Sequence, residues 1–162
     1  MLTVDGRVCV RGIVKFSHGH GYAARKNPKQ TIKGHVAMLS VFDEVIGPAL
    51  HRFKPDIIFV SAGYDAHWRD PLAGLQFRSS TYHALGTRLR EAADALCSGK
   101  LVFCLEGGYD LEGLSKSVAE TMRAMLGEDS IDTFDPVFLR EEPMDRVRQL
   151  IIETKRIHNL LL

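Results

Sequence analysis

The chain lacks the features that mark membrane-spanning, low-complexity and nucleic-acid-binding proteins. No apolar run approaches the roughly 18 residues that span a bilayer, so a membrane-spanning protein is excluded. With 14 glycines and 6 prolines among 162 residues, collagen and low-complexity sequence are excluded as well. A formal net charge of +1 removes the simplest argument for nucleic-acid binding, because such domains usually carry a marked basic excess. The sequence therefore predicts one soluble domain with a sizeable core.

Cysteine is also scarce, which limits both disulfide and thiolate-metal chemistry. The three cysteines are Cys9, Cys97 and Cys104, and no two of them form a Cys-x-x-Cys pair. An odd number without that spacing argues against a disulfide framework and against a thiolate zinc site. Since Cys97 and Cys104 lie among apolar residues, we expect buried, reduced thiols.

Charge is unevenly distributed along the chain. Residues 1–33 contain seven Lys or Arg and one acid, a net charge of +6, whereas the rest of the chain carries −5. The break indicates a segment of different origin or role. We predict that residues 1–33 are a separate, disordered basic segment. Its two histidines, His18 and His20, are too few to indicate a metal site.

From residue 34 the hydrophobic pattern becomes periodic and predicts alternating helices and strands. The predicted helices cover residues 36–53, 82–96 and 111–125, and a last helix follows Pro143. Two short, continuous apolar runs, residues 56–61 and 101–105, are typical of strands that are buried on both faces. The order strand, helix, strand predicts a βαβ unit with parallel strands, and hence an α/β fold.

Polar, glycine-containing loops follow both predicted strands. These are Ser61–Asp65 after the first strand and Glu106–Tyr109 after the second. Parallel strands carry such loops to the same edge of the sheet, where ligands of α/β proteins bind. We therefore expect Asp65 and Tyr109 to face one site.

The first loop leaves two interpretations open. Asp65 can bind a metal or orient a base, or it can cap the following turn. His67 has the residue type of a metal ligand, but its side chain can equally face solvent or stack on Trp68.

The second loop is similarly ambiguous. Glycines 107 and 108 allow the backbone to approach a ligand closely, and the Tyr109 hydroxyl can donate a hydrogen bond to a developing oxyanion. A plain glycine turn with a half-buried tyrosine would have the same sequence. No Gly-x-Gly-x-x-Gly, phosphate-binding loop or Gly-x-Ser-x-Gly pattern is present, so a nucleotide-binding α/β domain is the weakest interpretation.

Two segments resemble a known family. Residues 53–72 (FKPDIIFVSAGYDAHWRDPL) and 105–111 (LEGGYDL) closely resemble the histone deacetylase family. The likeness is strongest to the class II and acetylpolyamine amidohydrolase branch, including plant members that share the wording DAHWRDPLAGL. The resemblance implies the carboxyl-terminal portion of an arginase/deacetylase-like three-layer α/β/α fold with a parallel sheet, here assigned to residues 34–162.

The resemblance also implies roles for residues of both loops. Members of the family hold one catalytic zinc between two aspartates and a histidine, and Asp65 would be one of these ligands. Tyr109 would be the catalytic tyrosine that hydrogen-bonds the acetyl carbonyl. His67 would correspond to no family ligand. The acyl-lysine tunnel would be lined by Gly107, Gly108 and Leu72.

Other family motifs are missing from the sequence. Neither the Asp-x-His-His-Gly-Asn-Gly segment, which brings two zinc ligands, nor the earlier His-His pair, which supplies the general base, is present. One carboxylate does not make a catalytic zinc site, because such sites normally have three protein ligands. We therefore expect a truncated zinc-dependent deacetylase that is inactive alone. The alternative is a non-catalytic fragment or a partner-binding module.

The resemblance defines classes of partner and compartment. The substrate would be an acetylated lysine of a histone or another protein, or a small acetylated amine, and a full-length deacetylase is a further candidate partner. Neither direct nucleic-acid binding nor membrane binding is expected. A nuclear or cytoplasmic location is the first expectation, with a plastid or mitochondrion as the alternative.

Overall fold

A three-stranded parallel sheet with helices around it forms the described part of the protein. The computed structural model describes residues 13–15 (backbone only), 34–133, 139 and 142–160. The elements in chain order are β1 (Ile13–Lys15), α1 (His35–Val41), α2 (Gly47–Phe53), β2 (Ile58–Gly63), α3 (Ser79–Cys97), β3 (Leu101–Gly107), α4 (Leu111–Leu126) and α5 (Met144–Ile157). The strand order is β1-β2-β3.

The parallel pairing of β2 and β3 confirms the predicted βαβ unit. Ile58 pairs with Leu101 and Ala62 with Leu105, and a register shift follows before Gly63 pairs with Gly107. Both strands run beyond the apolar residues that identified them, so their glycine-rich ends belong to the sheet. The loops that follow them consequently leave from the same edge.

The basic segment contributes one short strand. Residues 13–15 form β1 and pair in parallel with β2, with Ile13 opposite Phe59. The remainder of the predicted disordered segment, including Cys9 and the two histidines, lies outside the described residues.

The predicted helix over residues 36–53 is interrupted by a π-helical turn. This turn, Phe42–Ile46, lies between α1 and α2, and the Gly47 N–H bonds back to the Phe42 carbonyl. Pro48 follows at the start of α2 and has no N–H for a regular bond to Glu44. A widened turn removes the clash between the proline ring and the Glu44 carbonyl. The chain stays helical from His35 to Phe53, so the predicted helix is confirmed, with this turn inside it.

The main core lies between the sheet and helices α3 and α4. Ile58, Val60 and Leu89 are at most 1% exposed and belong to this core. Alternate residues of a strand share one face, so Ile58 and Val60 point toward α3. Helices α3 and α4 pack closely at Gly86, as shown by the 3.0 Å that would separate a Cβ added there from the Ala124 Cβ.

Glycines end two of the helices, as the sequence predicted. After α3, Ser98 and Gly99 have φ values of +53° and +74°, and after α4 Gly127 has +74°. These left-handed conformations terminate a helix and satisfy its last carbonyls.

Strand β3 is largely exposed on one face. Leu101 and Phe103 pack against the core, whereas Val102, Cys104 and Leu105 are exposed. The expectation of two buried thiols is therefore wrong for Cys104, although Cys97 is buried as predicted. An apolar strand is buried on both faces only when other elements cover both of them. No described residue covers the face of β3 that carries Cys104.

Helix α5 closes the structure against α1. Val147 and Ile151 of α5 pack with Ala37 in a second, smaller core. Both carboxylate oxygens of Glu142 accept hydrogen bonds from the first turn of α1, one from Ala37 N at 2.7 Å. Among the described residues, no helix combines the length and apolar character needed to span a membrane.

Candidate functional site

The loops that follow β2 and β3 are joined at the sheet edge, as the sequence predicted. Tyr64 N donates to the Gly107 carbonyl at 2.8 Å, directly beyond the last paired residues of the two strands. This bond holds Asp65 of the first loop beside the glycines of the second. The candidate site is therefore built on the rigid end of the sheet.

Asp65 lies against the backbone of Gly107. A Cβ at Gly107 would be 3.2 Å from both Cγ and Oδ1 of Asp65, which is tighter than most side chains tolerate. Glycine thus allows the two loops to approach each other at this point. The Oδ1 atom is buried and has no hydrogen-bond partner among the described residues. Such an orphaned carboxylate oxygen is suited to a cation.

Tyr109 and Leu72 are the exposed members of the predicted set. Their exposed fractions are 55% and 66%, so both side chains are open to solvent. Between Gly107 and Tyr109, Gly108 has a φ of +134°, which L side chains rarely adopt. A Cβ there would also lie 2.9 Å from Leu114 Cδ1 and 3.1 Å from Tyr64 Cβ. Both conformation and space therefore require glycine at this position.

Asp70 connects the two loops and was not singled out by the sequence pattern. Only 7% of it is exposed, and its Oδ2 accepts hydrogen bonds from Tyr109 N at 2.7 Å and Asp110 N at 3.3 Å. Its Oδ1 accepts from Leu72 N at 2.9 Å. The Asp-Pro dipeptide could have indicated the local turn, because aspartate often bonds to the backbone two residues onward. The dipeptide does not, however, indicate the contact between Asp70 and Tyr109.

His67 is a buried structural residue at the starts of α3 and α4. It is 4% exposed, its Nδ1 accepts from Arg69 N at 3.3 Å, and its Nε2 lies 3.3 Å from the Ser79 hydroxyl. Burial lowers its pKa, so the neutral ring is favoured. Of the two open interpretations, stacking near Trp68 is the observed one, with ring centroids 5.9 Å apart, and exposure to solvent is not.

Charged groups near the second loop hold its geometry. Asp110 caps α4 by accepting from Gly113 N at 2.7 Å, and this bond lowers its pKa, with a further contribution from Arg69. Glu112 bonds to Lys116, which together with the charge of Arg69 lowers the pKa of its carboxyl. These side chains are ionised at neutral pH and tie the first loop to the start of α4.

The negative charge of Asp65 affects the pKa of Tyr82, a buried residue of the core. Burial raises the pKa of its hydroxyl well above the ordinary value, and the Asp65 carboxylate adds to that increase. Tyr64 is also buried, and its hydroxyl bonds to the Thr121 hydroxyl at 3.2 Å. Burial raises the pKa of the Tyr64 hydroxyl as well, so both tyrosines remain protonated at neutral pH.

The described residues offer one carboxylate oxygen suited to a metal ion, and no complete metal centre is found among them. The orphaned oxygen of Asp65 fits the role of one ligand, but within residues 34–133 and 142–160 no three His, Cys, Asp or Glu side chains cluster around a common point. Three protein ligands are usual for catalytic zinc. The site as described offers a carboxylate, a glycine-lined approach and an exposed tyrosine.

Comparison with known proteins relates this arrangement to a family. The family model for the histone deacetylase domain matches residues 13–125, a range that begins inside the basic segment and includes both loops. The chain is 52% identical over 151 residues to the rice protein "Histone deacetylase 10, chloroplastic", covering 91% of this chain and 34% of the relative. It is 55% identical over 129 residues to "Histone deacetylase 14, chloroplastic" of Arabidopsis thaliana, covering 78% and 30%. This chain thus spans about a third of the length of these relatives.

Solved structures agree with the sequence comparison. The crystal structure of the HDA15 HD domain matches with a TM-score of 0.61 and 30% identity, over 77% of this chain and 32% of that chain. The structure of the histone deacetylase Clr3 matches with a TM-score of 0.64 at 24% identity, over 77% and 20%, which is a likeness of fold. These matches confirm the predicted fold class, part of an α/β deacetylase domain with a parallel sheet. The chain belongs to the histone deacetylase family.

Proposed function

We propose that the two loops form part of the active site of a zinc-dependent deacetylase. The observation that carries the proposal is the buried, unpartnered Oδ1 of Asp65, fixed beside Gly107 at the end of the parallel sheet. Burial of this oxygen without a hydrogen bond is costly unless a cation or another donor compensates its charge. The further ligands would come from outside the described residues, because these contain no cluster of three candidates.

Each predicted site residue has a distinct task in this proposal. Asp65 contributes one ligand to zinc, and bound zinc would polarise the amide carbonyl and activate a water molecule. The Tyr109 hydroxyl donates a hydrogen bond to the carbonyl oxygen as negative charge develops on it. Such a donor acts mainly in the transition state, where its removal typically costs about 100-fold or more in rate. The walls of the acyl-chain approach are Gly107, Gly108 and Leu72.

The substrate class follows from the chemistry of the relatives. Their names include "Probable deacetylase" in Archaeoglobus fulgidus and "Histone deacetylase-like amidohydrolase" in Pseudomonas aeruginosa, with 32% and 41% identity to the matched residues. We therefore propose hydrolysis of the amide bond of an acetylated lysine or a small acetylated amine. For location we favour the plastid, since the rice and Arabidopsis relatives are both named chloroplastic. Import of a fluorescent fusion into isolated chloroplasts tests this assignment.

A second candidate function is a partner-binding module without activity of its own. It is favoured by the open face of β3, where Val102 and Cys104 are exposed, and by the incomplete ligand set of the described residues. The two candidates differ in whether a complete metal centre can be assembled around Asp65.

A complementation assay separates the candidates. The purified chain is assayed for release of acetate from an acetyl-lysine peptide with added zinc, alone and coexpressed with the portion of the rice relative that it does not cover. We expect turnover and one bound zinc only in the coexpressed sample. The Tyr109→Phe variant should lose about 100-fold or more of that turnover. A coexpressed complex that binds no zinc and releases no acetate would support the non-catalytic module.

A further inference from the structure

Asp70 is a buried carboxylate whose contacts join two segments far apart in sequence. It lies in the turn after β2, five residues beyond Asp65, and only 7% of it is exposed. A buried aspartate is expensive unless hydrogen bonds compensate its charge. Both of its oxygens are used: Oδ1 accepts from Leu72 N, and Oδ2 accepts from Tyr109 N and Asp110 N.

The contact with Tyr109 is the short one. Its donor–acceptor distance is 2.7 Å, in the range of charge-assisted hydrogen bonds, and it spans 39 positions of the sequence. The preceding residue, Gly108, has a φ of +134° and no side chain to restrict it. The Tyr109 ring is 55% exposed, so packing alone holds it only in part. The hydrogen bond from the Tyr109 N–H to Asp70 therefore fixes the backbone position from which the tyrosine side chain extends.

The contact with Leu72 acts on the segment that follows β2. The Leu72 side chain is 66% exposed, and its backbone N–H is held by the same carboxylate at 2.9 Å. A simple aspartate turn would need only this local bond. Because the second oxygen reaches the other loop, one side chain sets the relative position of the two segments.

We propose that Asp70 is a positioning residue, which fixes the backbone of Tyr109 relative to Leu72 across the substrate approach. This proposal rests on the proposed deacetylase function for its catalytic consequence, but its geometric part stands without it. Loss of the carboxylate would remove the hydrogen bond that ties the Tyr109 N–H to the first loop. The hydroxyl would then spend less time where it can stabilise the transition state.

Amide hydrogen exchange of the full chain tests the geometry. In the ¹⁵N-labelled protein we expect the Tyr109 amide to be protected, and Asp70→Ala to accelerate its exchange about 10- to 100-fold, the loss of one charge-assisted hydrogen bond. Exchange in the middle of α3, at Leu89, should stay unchanged. The matched control Asp56→Ala removes an exposed carboxylate and should alter none of these amides.

Asp70→Asn decides the question if Asp70→Ala unfolds. Asparagine has one acceptor oxygen where aspartate has two. Either the Leu72 amide or the Tyr109 amide must therefore lose its hydrogen bond and its protection from exchange. The proposal is overturned if the Tyr109 amide exchanges freely in the wild-type chain, or if it keeps its protection in the folded Asp70→Ala variant. If both the Leu72 amide and the Tyr109 amide stay protected in Asp70→Asn, the proposal is overturned as well.

The coexpressed complex tests the catalytic consequence separately. Asp70→Ala, or Asp70→Asn if its Tyr109 amide has lost protection, should lower kcat at least about tenfold with KM within about twofold, because the tyrosine hydroxyl acts in the transition state. A change confined to KM would contradict positioning of Tyr109. If Tyr109→Phe leaves turnover intact, the proposed function fails, while the exchange experiment still decides the role of Asp70.

Discussion

Replacement of Gly108 by alanine is a direct test of how tightly the two loops fit. The variant Gly108→Ala forces an L side chain into a φ of +134° and places its Cβ 2.9 Å from Leu114 Cδ1 and 3.1 Å from Tyr64 Cβ. The two effects are independent, since one concerns the backbone and the other the surrounding atoms. Both act on the residue that leads directly into Tyr109.

The expected destabilisation can be estimated from these two effects. Backbone strain of this kind costs about 1–3 kcal/mol, and overpacking of a filled space costs about 1–3 kcal/mol. Alanine also restricts the unfolded chain, which returns about 0.4–1 kcal/mol. These contributions sum to about 1–6 kcal/mol, and we expect the free energy of unfolding to fall by about 3 kcal/mol, near the middle of that range.

Urea unfolding followed by circular dichroism measures this loss. With a slope of about 1–3 kcal/mol per molar urea, the midpoint should fall by at least about 1 M. The neighbouring variant Gly107→Ala is the matched control. A Cβ there has its nearest contact, 3.2 Å, with the carboxylate of Asp65, which can rotate away. We expect it to cost less than half as much. If the two variants are equally stable, or Gly108→Ala matches the wild-type protein, the strain argument is refuted.

Three further predictions concern the core and the buried polar groups. Leu89→Ala, at a residue 1% exposed, should lower the free energy of unfolding by about 2–5 kcal/mol in urea, and a loss below about 1 kcal/mol would contradict the core assignment. Tyr64→Phe removes the hydroxyl bonded to Thr121 and should cost about 0.5–1.5 kcal/mol in the same assay; an unchanged midpoint would show that this bond is unimportant. Burial lowers the pKa of His35, so the unfolded chain takes up its proton first and stability falls as the pH drops below about 6.5. His35→Gln should flatten that dependence in urea unfolding, and an unchanged dependence would contradict this assignment.

Much of the fold could be predicted because the relevant signals are local. The apolar runs that became β2 and β3 are bounded by polar residues and glycines, and Gly127 follows the last turn of α4. Parallel pairing follows from chain order alone, since a strand, a helix and a second strand leave one favoured handedness. From that pairing the meeting of Asp65 with Gly107 could be expected.

The features that were missed depend on contacts between distant residues. The bond from Tyr109 N to Asp70 joins positions that no periodicity relates. The burial of His67 depends on the close approach of α4, where a Cβ at Gly113 would lie 2.7 Å from its Nδ1. Cys104 was expected to be buried because its neighbours are apolar, but burial depends on what covers the strand. The π-helical turn required weighing Pro48 against an otherwise regular helical pattern.

Cys104, on the exposed face of β3, can report whether that face is covered. Cys104 is exposed on that face, whereas Cys97 is buried in the main core. A maleimide should therefore modify Cys104 rapidly in the isolated chain and reach Cys97 only after unfolding. Any element that comes to cover β3 would slow the first reaction without changing the second. The rate of alkylation at one native side chain would thus measure, without any engineered label, how completely another element covers this face of β3.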